Sequence, residues 1–517
     1  MRLGPRRMRL RWLPWLAMIA LSGCVALPPR PELASSDTSP VVAAPERTSV
    51  GQTLRASQAP EGLSGLRVLA DPLDAFAARM ALIRQAEHRL DLQYYIWRPD
   101  TTGTLMLGAL REAADRGVKV RLLLDDNGIG GMDDLLAAID RHPQIEVRLF
   151  NPFPIRWFKP LSYLGDFGRL NRRMHNKAFI ADSTAAIVGG RNIGDAYFGA
   201  DDLVDFADLD VLTTGAVVPD VLRSFQSYWD SPLAYPLSSI GSRHPVGEDP
   251  LTQRLATLRH DEQTLRYRDA VKDSSVARDL GQGKPDLEWV RIRLLADPPE
   301  KASGQGLPQD WLVTGLQSAL GEATQSVDLI SPYFVPGEQG TALLGAYPAR
   351  GVALRVVTNS LAATDVVAVH PGYARRRLDL LKAGVTLYEL KAVASDVGAR
   401  PWNLSGSSTA SLHGKAFAVD GQRAFVGSFN IDPRSVSLNT EMGLVIESPT
   451  LARTLTEALD RDLPQHAYRV RLGEGDRLEW TEQTPAGTVV HHHEPDAGWW
   501  KRFMAWLMAW PAIEGLL

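Results

Sequence analysis

The sequence predicts an α/β fold written twice: two duplicated domains, each a mostly mixed β-sheet flanked by helices, related by a pseudo-twofold axis with one shared site at their interface. Three observations carry that prediction. A chain of 517 residues is too long for one ordinary hydrophobic core. Short apolar runs alternate with helix-length amphipathic segments. The third is a repeat: 173-RMHNKAFIAD-182 returns as 411-SLHGKAFAVD-420. His413 follows His175, Asp420 follows Asp182 and Asn430 follows Asn192 by the same 238 residues.

Residues 1–24 begin with Arg2, Arg6, Arg7, Arg9 and Arg11, continue with an apolar stretch from Trp12 to Leu21, and end in Leu-Ser-Gly-Cys at Cys24. The charge order and length are those of a secretory signal, and the stretch is shorter than the roughly 20 residues a spanning helix needs. Its last four residues resemble the bacterial lipobox, which implies acylation at Cys24. The expected location is the bacterial cell envelope, with the body lipid-anchored on the periplasmic or extracytoplasmic side. An uncleaved short anchor would leave the body on that same side. Cys24 is the one cysteine, which rules out an intramolecular disulfide or a cysteine-built metal site. Residues 25–62, rich in Pro, Ser, Ala and Thr, read as a flexible tether.

Residues 63–235 form the first domain. LDLQYYI within 89–97 and VRLLLD within 117–126 are buried-strand candidates. Between them, 103-GTLMLGALREAADRG-117 has helical apolar spacing and a glycine stop. KAFIAD, AAIVGG and LDVLT continue the strand pattern. Residues 236–290 are a polar connector with a helical patch near 250–278. Residues 291–470 repeat the first domain: 293-RLLADP-298 echoes 67-RVLADP-72, 326-SVDLISPYF-334 echoes 89-RLDLQYYIW-97, and 351-GVALRVVTNS-360 echoes 117-GVKVRLLLDD-126. Residues 471–517 are a C-terminal tail. Its end carries Trp499, Trp500, Trp506 and Trp510 beside Lys501 and Arg502, the composition of a helix lying in a membrane interface. A core-packing terminal helix is the alternative.

On a strand, residues i and i+2 face the same way, so His175 projects with Lys177 and His413 with Lys415, while Asn176 and Gly414 point away. Gly190-Arg191-Asn192 and Ser428-Phe429-Asn430 form tight loops that bring an amide close to a ligand. Two such half-sites suit a tetrahedral phosphodiester. Lys177, Lys415, Asn192 and Asn430 would hold its non-bridging oxygens. One histidine would attack phosphorus and the other would protonate the leaving oxygen, roles that an imidazole of pKa about 6.5 can fill. These side chains supply the charge, so no metal and no cofactor is expected. Asp208 and Glu441 are candidates to fix an imidazole tautomer, and they align if the first copy carries five extra residues. Gly190 stands where the second copy has Ser428, so one hydroxyl is missing. Asp182 and Asp420, seven residues past each histidine, should face away and tie a turn or an ion pair.

The pattern His-x-Lys, four residues, Asp, six residues, Gly-Gly/Ser-x-Asn resembles the phospholipase D superfamily, and the likeness spans about residues 65–470. The stretches 93-QYYIW-97, 125-DDNGIGG-131 and 358-TNSLAATDVVAVHPGYARRR-377 and the Trp-rich end are similar to its bacterial cardiolipin synthase branch. That resemblance implies phosphatidyl transfer to a hydroxyl of phosphatidylglycerol or a similar phospholipid at a membrane surface. It also implies a covalent phosphohistidine, with His175 as nucleophile and His413 as general acid/base; the residues themselves leave the two interchangeable. Water as acceptor would give a phospholipase D hydrolase releasing phosphatidic acid. A phosphodiesterase/nuclease and a catalytically dead scaffold are the remaining alternatives. With 56 basic and 60 acidic residues and a net charge of −4, no nucleic-acid partner is expected, and a monomer suffices. Asp125 and Asp126 read as caps or loop hydrogen-bond acceptors. His370 and Tyr373 are either the wall of an acceptor pocket or a packed loop pair, and His491-His492-His493 is a solvated loop.

Overall fold

The computed structural model describes residues 27–31, 42–201, 206–240, 249–321, 323–392 and 411–509. Cys24 and the signal-like segment lie outside the described residues. The first half runs β1 (Ser64–Leu69), β2 (Arg89–Ile96), β3 (Lys119–Gly128), β4 (Ile145–Phe150), β5 (Ala178–Ala181), β6 (Ala185–Gly189), β7 (Phe206–Ala207), β8 (Asp210–Gly215) and β9 (Ala234–Pro236). The second half runs β10 (Glu288–Ala296), β11 (Ser326–Ile330), β12 (Ala353–Asn359), β13 (Thr386–Leu390), β14 (Ser411–Leu412), β15 (Lys415–Val419), β16 (Arg423–Gly427), β17 (Met442–Glu447), β18 (Ala467–Leu472), β19 (Leu478–Thr484) and β20 (Gly487–His491).

β2, β3 and β4 pair in parallel and are buried on both faces. This is why their sequences read as continuous apolar runs instead of alternating ones. The crossover from β2 to β3 is the helix Thr101–Asp115, whose first turn is capped by the Asp100 side chain accepting from Gly103 N. Pairing places the first-half strands in the order β9-β4-β3-β2-β5-β6-β8-β1. The second half gives β10-β17-β16-β15-β11-β12-β13-β18, counterpart for counterpart. The expected duplicated mixed sheet is therefore present. In addition, β1 pairs antiparallel with β10, joining the halves edge to edge in one 18-stranded sheet.

Three apolar cores result. One lies under the outer helices of the first lobe and one under those of the second. The third is shared: Leu66, Val188 and Phe225 pack with Ala416, Met442 and Leu455. The helices Val218–Asp230 and Pro449–His466 supply much of it, each from the equivalent place in its lobe. Burying this common face fixes the lobes against each other, which the site requires.

Two boundary expectations change. Within the stretch read as a tether, Ser49–Thr53 is helical, and Val50 and Leu54 are fully buried in the first-lobe core. Two apolar residues in a polar stretch are enough to dock it. The stretch read as a tail instead extends the sheet with the β19–β20 hairpin, and Trp480 is buried with its Nε1 donating to Glu389 Oε2 at 2.9 Å. His491, read as part of a loop, is the last residue of β20 and pairs with Glu482 at 2.8 Å. The helical patch expected near 250–278 of the connector is present as the helices Pro250–Leu258, Glu262–Lys272 and Ser275–Gly281, capped by Asp249, Asp261 and Ser274.

Candidate active site

His175-Asn176-Lys177 is the extended stretch that enters β5, and His413-Gly414 lies between β14 and β15. The strand ladders thus begin at Ala178 and Lys415, just past the histidines, and not under them as the spacing suggested. Each stretch docks on the opposite lobe instead. His175 N donates to Thr440 O and Thr440 N to Arg173 O, both at 2.9 Å. In the mirror position β14 pairs with β7, and His413 N donates to Ala207 O at 2.9 Å. Asn176 does point away from the imidazole: its Oδ1 accepts from Thr440 Oγ1 at 2.7 Å, which ties the same seam.

This crosswise docking delivers the carboxylate of one lobe to the imidazole of the other. His175 Nδ1 lies 2.8 Å from Glu441 Oε2, and His413 Nδ1 lies 2.5 Å from Asp208 Oδ2. A carboxylate can only accept, so each Nδ1 is the protonated nitrogen, and among the described residues neither Nε2 has a side-chain partner. Gly190 N donates to Leu209 O and Ser428 N to Met442 O, which sets Asp208 and Glu441 at equivalent places. The Gly190/Ser428 difference then has a steric reason. A Cβ on Gly190 would lie 2.1 Å from Asp208 Oδ1. Glutamate is one methylene longer and leaves room for Ser428, whose Oγ donates to Glu441 Oε2 at 2.5 Å, while Ser435 Oγ donates to Oε1 at 2.9 Å.

Both imidazoles line one cleft of about 630 Å³, together with Asn192 and Asn430. Asn192 is committed to the fold, accepting from Ile96 N and donating to Tyr197 OH, both at 3.1 Å. Asn430 Oδ1 is buried and has no hydrogen-bond partner among the described residues. Lys177 and Lys415 sit behind the imidazoles rather than on the cleft wall. Lys177 Nζ donates to His175 O at 2.6 Å, and Lys415 Nζ donates to His413 O. Aromatic rings brace the imidazoles: Tyr95 is edge-on to His175 and Tyr197 edge-on to His413, with centroids 5.0 and 5.3 Å apart.

The electrostatics of the two half-sites differ. Burial, then Lys177, Lys415 and His413, hold the His175 imidazole well below its ordinary pKa. His413 is lowered by burial and Lys415, with Asp208 pulling the other way. Burial works to raise Asp208, but His413, its hydrogen bond, Lys415 and Arg191 outweigh it and hold this carboxyl well below the usual range. Burial raises Glu441 despite Lys177 and Ser428. Burial also lowers both lysines. The two supporting carboxyls are thus shifted in opposite directions, Asp208 down and Glu441 up.

Asp182 and Asp420 face away from the site and tie turns. Asp182 accepts from the backbone N of Glu87, His88 and Arg89, and Asp420 from that of Thr324, Gln325 and Ser326. Both take a left-handed backbone, φ 48° and 54°, which aspartate tolerates better than most residues. Asp125 and Asp126 are more than loop acceptors. Asp125 holds the buried Arg173, and Asp126 pairs with Arg156 and Lys159. His370 and Tyr373 do not line the cleft. They are buried in a polar cluster with Arg377, Glu389 and Glu494, with Tyr373 OH donating to Glu389 Oε1 at 3.0 Å. Sequence reading missed Thr440 and Ser435, and the part Asn176 plays in the seam. It also missed Asp297, whose Oδ2 accepts from Glu441 N at 2.8 Å. The repeated Leu-Ala-Asp-Pro was the signal for Asp297: its counterpart Asp71 caps a helix.

The family described as cardiolipin synthase, PLD-like domain, matches residues 80–229 and 316–463, one match in each lobe. Cardiolipin synthase C of Escherichia coli (strain K12) is 45% identical over 88% of this chain and 97% of its own length. A cardiolipin synthase of Geobacillus thermodenitrificans (strain NG80-2) is 28% identical over 75% of this chain and 64% of its own length. Among solved structures, a phosphatidylserine synthase of Haemophilus influenzae Rd KW20 shares the fold, with a TM-score of 0.52 over 81% of this chain and 92% of its own, at 16% identity.

Proposed function

This chain belongs to the phospholipase D-like family of cardiolipin synthases, and we propose that it is a membrane-attached phosphatidyltransferase working through a phosphohistidine on His175. The observation that carries this reading is the pair of imidazoles in one cleft, each with Nδ1 on a carboxylate from the opposite lobe. A free Nε2 on each side of a bound phosphodiester allows in-line attack by one and proton delivery by the other.

The charge asymmetry supports this division of roles. A nucleophile must be neutral, and burial with Lys177 and Lys415 holds the His175 imidazole well below its ordinary pKa. A general acid must hold a proton, and His413 has the ionised Asp208 to stabilise its imidazolium. In the first half-reaction His175 Nε2 attacks phosphorus and His413 protonates the departing head-group oxygen. In the second, His413 takes the proton of the acceptor hydroxyl, which displaces His175. Lys177 and Lys415 stand behind the site, and Asn430 lines the cleft, where its side-chain N–H group would donate to the phosphoryl oxygens.

The sign of one pH effect follows. Asp208 favours protonated His413, so Asp208→Asn removes that support and lowers the pKa of the acid. The alkaline limb of the kcat/KM profile is expected to move to lower pH, with activity reduced about 10²- to 10⁴-fold. An unshifted limb would count against the assignment. The function itself is tested with purified protein and phosphatidylglycerol vesicles. Cardiolipin and free glycerol are expected; phosphatidic acid alone would favour the hydrolase reading.

Membrane attachment is proposed through two elements. Acylation of Cys24 would anchor the N-terminus in the cell envelope. The helix Trp499–Met508 exposes Trp499, Trp500, Phe503, Trp506 and Leu507, and Lys501 Nζ pins it to Ala362 O and Thr364 O beside the cleft. No described helix is long and apolar enough to cross a membrane. Trp499→Ala with Trp506→Ala is expected to weaken vesicle binding about tenfold in sedimentation while leaving turnover of detergent-dispersed lipid intact. Cys24→Ser is expected to abolish fatty-acid labelling. Unchanged sedimentation and labelling would refute both elements.

A further inference from the structure

Resting on the transferase reading, we propose that Asp365 is the acceptor-binding residue, its carboxylate accepting a hydrogen bond from a hydroxyl of the incoming alcohol head group beside His413. Asp365, Tyr333, Val366 and Val369 line the cleft that holds both histidines. Tyr333 OH donates to Asp365 Oδ2 at 2.8 Å, and among the described residues Oδ1 has no hydrogen-bond partner. The loop is held from behind, because Lys501 Nζ donates to Ala362 O at 2.6 Å and to Thr364 O at 3.1 Å. Its position is on the His413 side. Tyr333 lies under the Lys415 ammonium, 5.9 Å from ring centroid to Nζ, and Asp365 bears electrostatically on Lys415 and on Tyr197, whose ring abuts His413.

Two other carboxylates of the cleft, Asp100 and Asp432, are held by backbone N–H groups, and Asp201, also on the wall, has a partner of its own. Asp100 accepts from the backbone N of Gly103 and Asp195, and Asp432 from that of Ser435. The wall toward Tyr95, which abuts His175, carries Arg434 and Asn439 instead. Arg434 thus stands toward the nucleophile, while toward the acid/base the wall carries Arg98 and the carboxylate of Asp365. A carboxylate there repels phosphate and accepts from a hydroxyl, so the class of acceptor it fits is a polyol head group. The reacting hydroxyl attacks phosphorus, the bond from phosphorus to His175 Nε2 breaks, and the hydroxyl proton passes to His413 Nε2. A neighbouring hydroxyl on Asp365 orients the attack and gives the alcohol an advantage over water.

The partition of the phosphatidyl-enzyme tests this directly. The full chain is given an acyl-labelled phosphatidyl-p-nitrophenol donor and unlabelled phosphatidylglycerol as acceptor. Nitrophenol release reports the first half-reaction; the ratio of labelled cardiolipin to labelled phosphatidic acid reports the second. In Asp365→Asn and Asp365→Ala the ratio is expected to fall about tenfold or more. It should recover in part at high phosphatidylglycerol, with nitrophenol release within about twofold of the parent. An unchanged ratio would overturn the proposal, as would an equal fall in both half-reactions with a lowered melting temperature, the mark of a merely structural role. If the parent protein makes labelled phosphatidic acid alone, the transferase reading itself fails and this proposal falls with it.

Discussion

His175→Ala is expected to lower phosphatidyl transfer by at least about 10⁴-fold, because it removes the nucleophile and leaves in the cleft only the second imidazole, His413, which the reaction needs as acid/base. The stability cost should be moderate, since it removes one imidazole and its hydrogen bond to Glu441. The thermal melt separates loss of chemistry from loss of fold. The partner substitution should behave differently. With a p-nitrophenyl leaving group the first half-reaction needs little acid assistance, so His413→Asn should still be phosphatidylated. Lacking the base for the second step, it should accumulate label on the peptide containing His175. Label on neither peptide, or substantial turnover by His175→Ala, would contradict the assignment. Label on the His413 peptide of His175→Asn would reverse the roles.

Arg173→Ala is expected to destabilise the protein by about 3–5 kcal/mol, the largest stability effect foreseen here. Arg173 and Asp125 are both almost fully buried, with Nη2 to Oδ1 at 2.6 Å and Nε to Oδ1 at 2.9 Å. Removing the guanidinium leaves a carboxylate that burial already pushes upward in pKa. It also orphans the carbonyls of Leu170 and Asn151. Activity should fall as well, because Asp125 Oδ2 accepts from Met174 N at 2.8 Å and so sets the backbone next to His175. The double variant Arg173→Met with Asp125→Leu should recover part of the stability, since no buried charge is then unpaired. Denaturant unfolding measures both; a loss under about 1 kcal/mol for Arg173→Ala would show the pair to be dispensable.

Much of this architecture was legible because the chain states it twice. The constant spacing of His175/His413 and Asn192/Asn430 shows the duplication directly. The strand and helix assignments from β2 to β6 follow from apolar runs whose length and flanks are local properties. What was not legible is crosswise. Asp208 and Glu441 could be aligned with each other, but which imidazole each serves depends on two lobes docking through Thr440 and Ala207, and no local pattern encodes that. The same holds for Asp125, which reads as a loop residue until Arg173 is folded over it. His370 was read as either a pocket wall or part of a packed loop pair; its partners Arg377 and Glu494 are 7 and 124 residues away, and they bury it. The lysines' retreat behind the imidazoles also follows from tertiary geometry, since an i, i+2 spacing fixes a face but not a depth.

The central claim is that two imidazoles act in turn on one phosphorus atom, and its stereochemistry tests that most directly. A donor lipid made chiral at phosphorus by sulfur and oxygen-isotope substitution would be converted to product and its configuration read by ³¹P NMR. Two successive in-line displacements, through His175 and then by the acceptor, predict overall retention. Inversion would mean a single direct displacement and would contradict the phosphohistidine account.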